Sequence, residues 1–468
     1  MNPTVSDPTD DLVVDPELIR KHDKAGPRYT SYPTADRFVE AYGAAEHAGW
    51  LAARNVGRRN PPLSVYIHLP FCANICYYCA CNKVITKDHG RSAKYVKYLK
   101  KEMDLVTRHL QARSPVTQLH WGGGTPTFLS GEEMSELMAI TRDHFDLDPQ
   151  GEYSLEIDPR SVSPDTFGLL ARLGFNRVSI GVQDFEPAVQ EAIHRIQSLD
   201  ETRTAIEVAR AVGMQSVNFD LIYGLPRQNT ETFARTLDEV IRLSPDRIAL
   251  YSYAHIPTLF KPQRRILPAD MPTPEAKLAL LVQAISTLTE AGYVYIGMDH
   301  FAKPQDELNI ARRQGRLHRN FQGYSTRAEC DLVALGISAI SQIGPAYAQN
   351  VKTLDEYYTL LDAGQLPIAR GIELSADDAL RRALIQALMC HFEVSIESIE
   401  IAHLINFRTY FAAELELLDA FREDGLVTVD DHWISVTPKG RLLVRSIAMA
   451  FDKYVRQSAE RQRFSKVI

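Results

Sequence analysis

Four of the chain's six cysteines fall within ten residues, in the run FCANICYYCACN at 71–82: Cys72, Cys76, Cys79 and Cys81. The first three are spaced C-x3-C-x2-C and follow directly on the apolar run SVYIHL at 64–69. Three thiolates on one loop can hold three irons of a cubane and leave the fourth iron open to an exogenous ligand, whereas protein iron–sulfur clusters are more usually closed by four cysteines. Zinc is the alternative, since all four thiolates together could close a tetrahedral site. The wide x3 gap and the loop's place at the C-terminal end of a strand favour the open cluster, because barrel active sites lie on that face. Two disulfides are disfavoured: the chain reads as cytoplasmic, and thiols there stay reduced.

Other residues could serve a ligand beside such a centre. GGGTPT follows the second strand, and backbone amides and carbonyls at Gly123, Gly124 and Thr125 can approach a ligand closely, although a tight turn explains the glycines equally well. Glu156 and Asp220 sit near the C-terminal ends of the third and fifth strands, and Gln183 ends the fourth. Buried carboxylates are costly unless hydrogen-bonded; ribose hydroxyls or a ligand ammonium would satisfy them. Arg195 in AIHRIQ offers a fork for a ligand carboxylate, or a surface ion pair. His68 is either a neighbour of the cysteine loop or a packed strand histidine. Cys330 and Cys390 read as buried free thiols.

These residues need elements to hold them. Six strands are expected at 64–69, 116–121, 153–158, 177–183, 216–224 and 247–254, alternating with helices. In the first helix Val96, Leu99, Met103, Val106 and Leu110 recur at spacings of three and four. Units of this kind predict an α/β fold, a partial (β/α)6 TIM-like barrel extended by 293–302, with an open doubly wound sheet as the alternative. Residues 1–45, rich in Pro and acidic residues, read as an arm with little core of its own. The barrel and its extension are assigned to 46–368 and a mainly helical domain to 369–468. That last part is expected as helices at 375–391 and 407–424, a hairpin in GLVTVDDHWISVTPKG and a helix at 441–457, which is a winged-helix-like order used for lid or packing duty.

With 468 residues, 45% of them hydrophobic and 24% charged, the chain can build one large and one smaller domain. A net charge of −7 argues against a broad nucleic-acid surface. The basic tail from 452 to 468 reads as a solvated amphipathic helix. The N-terminus opens acidic, without the basic and apolar pattern of a signal peptide. No stretch approaches the roughly 20 apolar residues that span a bilayer.

The cysteine spacing, with the aromatic Tyr78 just before the third Cys, resembles the radical S-adenosylmethionine (SAM) superfamily. GPRYTSYPT (26–34), HWGGGTPT (120–127), EIDPR (156–160), GVQDF (181–185), DLIYGLP (220–226), MDHFA (298–302), HRNFQGY (318–324) and the terminal FSKVI narrow the resemblance to the oxygen-independent coproporphyrinogen III oxidase family, over essentially the whole chain in order. The resemblance implies a [4Fe–4S] cluster on Cys72, Cys76 and Cys79, with Cys81 near the site but not a ligand. It implies two SAM molecules per chain: Tyr66, Gly123, Glu156 and Ile340 around the one on the cluster, and Tyr78, Gly124, Thr125, Gln183, Arg195, Asp220 and Ala254 around the second. Where the family's best-known form reads CYFCGC this chain reads CYYCAC. Tyr78 keeps the aromatic face, and Ala80 puts the fine loop geometry in question.

The implied reaction begins when a reduced cluster passes an electron to the sulfonium, leaving methionine and a 5′-deoxyadenosyl radical. The radical takes a hydrogen from a propionate β-carbon, and loss of CO2 and one further electron leaves a vinyl group. Repeated once, this turns coproporphyrinogen III into protoporphyrinogen IX. A low-potential donor of flavodoxin or ferredoxin type, a monomeric state, and no nucleic-acid or membrane partner accompany that expectation. Arg28, His300 and Arg319 are candidates for the substrate carboxylates, and the arm and C-terminal domain for covers that exclude water. A non-catalytic haem-handling relative and a zinc-organised binding protein are the competing readings.

Overall fold

The computed structural model describes residues 12–54, 61–110 and 113–457. The FSKVI motif and the tail beyond 457 lie outside them, as does the start of the N-terminal arm. The chain clusters into two compact units, one made of 36–272 and 329–373, the other of residues to 35, 273–328 and 374 onward. Among the described residues no helix is long and apolar enough to cross a membrane.

In the first unit, Leu63–Leu69 (β1), Pro115–Gly123 (β2), Asp146–Ile157 (β3), Arg177–Gln183 (β4), Ser216–Tyr223 (β5) and Arg247–Ser252 (β6) each pair in parallel with the next. His89–Leu110 (α1), Gly131–His144 (α2), Pro164–Leu173 (α3), Leu199–Ala211 (α4) and Thr230–Leu243 (α5) lie in the successive crossovers. A strand order that runs 1 to 6 without reversal is the winding of a (β/α) barrel. A doubly wound sheet would reverse at a switch point. The helices start on strong local signals: Ser130 with Glu133 and Ser198 with Glu201 form reciprocal capping boxes, and Pro164 opens α3. Beyond β1, Asp331–Leu335 (β7) joins in parallel, and Ile340–Ile343 (β8), Ala346–Asn350 (β9) and Ile368–Glu373 (β10) follow antiparallel.

Strands β1 to β5 each have two chemically distinct sides. Leu63, Val65, Ile67 and Leu69 on β1, Leu119 and Trp121 on β2, Leu155 on β3, Val178, Ile180 and Val182 on β4, and Val217, Phe219 and Leu221 on β5 are almost wholly buried. With a side-chain period of two, the alternate positions form the opposite face, and they are polar: Tyr66 and His68, His120, Ser154 and Glu156, Ser179 and Gln183, Asn218 and Asp220. The register aligns them, since Tyr66 pairs with His120, His120 with Ser154, Glu156 with Ser179 and Ser179 with Asn218.

The second unit departs from the expected boundaries. The arm to residue 35 does not stand apart. Helix Pro16–His22 sets His22 Nε2 2.5 Å from Asp424 Oδ2, Ser446 donates to the His22 carbonyl at 2.9 Å, and the buried Tyr29 donates to Asp452 at 2.9 Å. Residues 36–45 belong instead to the barrel unit, where Val39 bridges Gly371 and Tyr42 packs on Ala346 and Ala348. Residues 293–302 form the hairpin Val294–Gly297/His300–Ala302 within the second unit. Its core of Val294, Ile296, Ala302, Leu308, Ala311, Leu317 and Cys390 joins residues 273–328 to the C-terminal helices. These groupings rest on long-range packing that local sequence does not display.

The C-terminal order is helix Ala376–His391, strand Glu393–Ser395, helices Ile396–His403, Phe407–Tyr410 and Ala412–Glu423, and the hairpin Val427–Val429/Trp433–Val436, to which Glu393–Ser395 adds a third strand. This is the winged-helix order anticipated. The helix expected over 407–424 breaks at Phe411, and the one over 441–457 is a series of short turns. Asp452 ends that series with extended backbone and accepts from the Tyr454 and Val455 amides, so it starts a new turn rather than continuing the old one.

Candidate active site

The cysteine run leaves the end of β1 as a loop closed at its base. Phe71–Cys72 pairs in parallel with Val84–Ile85, and Val84 N donates to Pro70 O at 2.7 Å and Thr86 N to Cys72 O at 3.0 Å. The far side is held by the segment after β4. Tyr77 N donates to Ile193 O at 2.9 Å, His194 Nδ1 to Ile75 O at 2.8 Å, and the Tyr77 and His194 rings stack 4.8 Å apart at 8°. His194 and Gln183 both take left-handed backbone, with φ of 54° and 66°; non-glycine residues do so rarely, and often at functional sites. Ala80 is not among the left-handed residues, so a side chain there imposes no backbone strain. Gln263, almost fully buried, donates to Tyr78 O and Ala254 O, each at 3.1 Å, and accepts from Ile256 N at 2.6 Å.

Cys72, Cys76 and Cys79 line one cavity of about 400 Å³ together with Tyr78, Gly124, Thr125, Asp158, Arg160 and Arg195. Cys81 is exposed and is not in that lining. Burial pushes the Cys72 thiol up to about 11, against the Thr125 hydroxyl that lies 3.5 Å from its sulfur. A hydrogen bond from Cys81 draws Cys79 below the usual thiol range. A loop offering three thiolates to a shared cavity fits a cubane, which presents a separate iron to each.

Beside the cavity, Glu156 accepts from Gly123 N at 3.0 Å and stands 3.5 Å from His120 Nε2, while His120 Nδ1 meets Ser154 Oγ at 2.7 Å. Burial raises the Glu156 carboxyl, but the hydrogen bond and charge of His120 and the Gly123 amide outweigh it and hold the group ionised. Asp220 accepts from Ser179 Oγ and Asn218 Nδ2, both at 2.9 Å, yet burial and the neighbouring Glu156 charge push it up to about 6. Glu156 on β3 and Asp220 on β5 are thus driven in opposite directions on one sheet face, a pattern that functional carboxylates often share. Tyr66 stacks on His120 at 5.8 Å and its hydroxyl meets His68 Nδ1 at 3.0 Å. His68 Nε2 meets the Asn82 carbonyl at 2.9 Å. A carbonyl only accepts, so His68 carries its proton on Nε2 and takes the Tyr66 hydroxyl on Nδ1; burial lowers its basicity in keeping with that neutral form. It thus bridges β1 and the end of the cysteine loop. Gly123, at φ 115°, leaves room for this ring: a Cβ there would lie 2.5 Å from it.

The strand face therefore unites Tyr66, His68, Gly123, Glu156 and Asp220, and the cavity unites the cysteines with Tyr78, Gly124, Thr125 and Arg195. Ile340 opens β8, half-buried and outside the cavity lining. Arg28, His300 and Arg319 belong to the second unit. There Arg28 already pairs with Asp299 at 3.2 Å, and Tyr324 takes the edge of His300 and the guanidinium of Arg319, at 5.3 and 4.8 Å. Sequence reasoning missed His120, Ser154, Ser179 and Asn218. Each is unremarked alone, but the two-residue alternation from strand to strand selects them together.

Residues 66–240 match the family model of the radical SAM superfamily, and 374–443 that of the HemN C-terminal domain. An oxygen-independent coproporphyrinogen III oxidase of Pseudomonas aeruginosa is 55% identical over 97% of this chain and 98% of its own length, and that of Escherichia coli 48% over 96% and 98%. The solved structure described as coproporphyrinogen III oxidase (HemN) from Escherichia coli, a radical SAM enzyme, aligns with a TM-score of 0.90 and 44% identity over 95% of this chain and 100% of that one. With that identity over nearly its full length, the chain belongs to the oxygen-independent coproporphyrinogen III oxidase family of radical SAM enzymes.

Proposed function

We propose that this chain converts coproporphyrinogen III to protoporphyrinogen IX for haem synthesis, by anaerobic oxidative decarboxylation of two propionate side chains to vinyl groups. The observation that carries it is the single cavity onto which Cys72, Cys76 and Cys79 open beside Tyr78, Gly124, Thr125 and Arg195. When bound, a [4Fe–4S] cluster and SAM supply reductive cleavage of the sulfonium and a carbon radical that takes hydrogen from a propionate β-carbon.

The chain's own residues orient and shelter these partners. Cys72, Cys76 and Cys79 are the cluster ligands, and Cys81 is not. Glu156, held ionised by His120 and Gly123, accepts from ligand hydroxyl or ammonium groups, together with Tyr66, Gly123 and Ile340. Tyr78, Gly124, Thr125, Gln183, Arg195, Asp220 and Ala254 serve a second SAM. Asp220, with its raised pKa of about 6, is suited to hold or release a proton near neutrality. In the second unit Arg319 is buried, and its Nε and Nη1 have no hydrogen-bond partner among the described residues. A substrate carboxylate would satisfy them, which favours Arg319 over the already paired Arg28, with His300 nearby. The enzyme works as a cytoplasmic monomer fed by a low-potential flavodoxin- or ferredoxin-type donor.

The test is an anaerobic assay with coproporphyrinogen III, SAM and reductant, following 5′-deoxyadenosine and CO2. Cys72→Ser, Cys76→Ser and Cys79→Ser should each abolish the iron chromophore and turnover, while Cys81→Ser keeps the chromophore. Stoichiometric haem retention without turnover, or a colourless Cys81→Ser protein, would overturn the assignment.

A further inference from the structure

Asp158, Arg160 and Arg195 form an ion triad at the edge of the cysteine cavity, with side chains 14%, 19% and 7% exposed. Asp158 Oδ2 takes Arg160 Nη2 at 2.6 Å and Arg195 Nη1 at 3.2 Å; its Oδ1 takes Arg160 Nε at 3.0 Å and the Arg160 amide at 3.1 Å. One negative charge faces two positive ones, so the triad carries a surplus of one positive charge. That surplus is aimed at a single sulfur: Arg195 Nη1 lies 3.7 Å and Arg160 Nη2 3.9 Å from Cys76 Sγ. The other two thiols are treated differently. Cys72 meets the uncharged Thr125 hydroxyl, and near Cys79 the cation is Lys83, whose ammonium also bonds the Cys79 and Cys81 carbonyls. A largely buried cation needs an anion to offset its desolvation, and a sulfur of an electron-rich cluster provides one where a neutral thiol does not.

We propose that Arg160, held in place by Asp158, tunes the cluster: with Arg195 it donates to the Cys76 sulfur and stabilises the reduced state over the oxidised one. The inference rests on the reading that Cys76 is a cluster ligand. One-electron reduction adds one negative charge, shared among the sulfurs, and donors to ligand sulfurs and nearby charge set the potential of such centres. Arg160 rather than Arg195 is the residue to vary, because Arg195 is also assigned to SAM. The two roles of the triad have opposite signs: loss of the Arg160 charge should disfavour reduction, and loss of the Asp158 charge should favour it.

The experiment is an anaerobic redox titration, read by electron paramagnetic resonance without SAM, on reconstituted parent protein, Arg160→Ala, Arg160→Lys and Asp158→Asn. Iron and sulfide content should match the parent in all. At a fixed potential the reduced-to-oxidised ratio of Arg160→Ala should fall at least tenfold, which is 59 mV for a one-electron couple. Arg160→Lys, which keeps the charge but not the fork, should fall less, and Asp158→Asn should rise. If Arg160→Ala loses its cluster, the lysine and asparagine variants still carry the test. Parental ratios in both Arg160 variants, or Asp158→Asn moving in the same direction as Arg160→Lys, would overturn the inference. A parent protein without an iron chromophore would instead sink the ligand assignment on which it stands.

Discussion

Replacing Gly124 by alanine tests the geometry of the site most directly. A Cβ on Gly124 would lie 2.6 Å from the Pro70 carbonyl carbon and 2.7 Å from the Pro70 and Phe71 carbonyl oxygens, about 0.8 Å inside the 3.4 Å at which ordinary contact begins. All three atoms are backbone, so no side chain can swing aside. Two hydrogen bonds cross the same contact, Gly124 N to Leu69 O and Thr125 N to Phe71 O, both at 2.8 Å. Relief therefore requires either stretching them or moving the chain that carries Cys72. Overpacking of this kind costs about 1–3 kcal/mol, and a lost hydrogen bond adds about 1 kcal/mol. A displacement of about 1 Å at a reacting centre costs on the order of 10²-fold in rate. The expected result is a denaturant midpoint lowered by about 2–4 kcal/mol-equivalent, with 5′-deoxyadenosine formation down on the order of 10²-fold. Gly49→Ala is the control: its Cβ would have nothing within 4 Å and it sits exposed within the helix Ala44–Ala53, so it should stabilise by about 0.5–1 kcal/mol. A Gly124→Ala protein with parental midpoint and turnover would refute the tight contact between the glycine turn and the cysteine loop.

Two further outcomes follow from buried polar groups. Glu102 on α1 accepts from Gly336 N, Asn350 Nδ2 and the Tyr357 hydroxyl, yet burial pushes it up to about 7. The folded carboxyl thus binds its proton more tightly than the unfolded one, whose pKa is about 4.3. Its contribution is fully present below about pH 4, is lost as pH rises to about 7, and is on the order of 4 kcal/mol; Glu102→Gln should flatten that part of the stability profile, and an unchanged slope would contradict the assignment. Gln263→Leu strips partners from the Tyr78 and Ala254 carbonyls and the Ile256 amide; at about 1–3 kcal/mol per buried orphan it should lower the denaturant midpoint and weaken SAM binding, whereas parental values in both would show that Gln263 does not brace the loop.

The barrel strands were legible because an apolar face leaves a regular signature, an apolar residue at every second position, and these short runs alternate with helical stretches. The start of β3 was not legible. Its first five residues, Asp146 to Gln150, are mostly polar and none is buried, and only Asp146 and Leu147 pair with β2, before the register shifts to Glu152. The cysteine triplet could be read from spacing, since three thiols on one loop share local geometry. His120 and Ser154 could not be read singly, because their roles arise from strand register. The described residues 12–35, and 273–328, were assigned elsewhere because the contacts that gather them, such as Tyr29 to Asp452, span hundreds of residues. Arg28 was a candidate for a substrate carboxylate because nothing local in the sequence signals its partner Asp299.

The two-residue ladder at the base of the cysteine loop has a consequence for where the sulfurs can go. Phe71–Cys72 against Val84–Ile85, with the bonds from Tyr77 and His194, pins the loop at both ends of the cysteine run. A substitution that breaks one of these ties therefore shifts the thiols without replacing any of them, and the spacing of the run alone does not set their position.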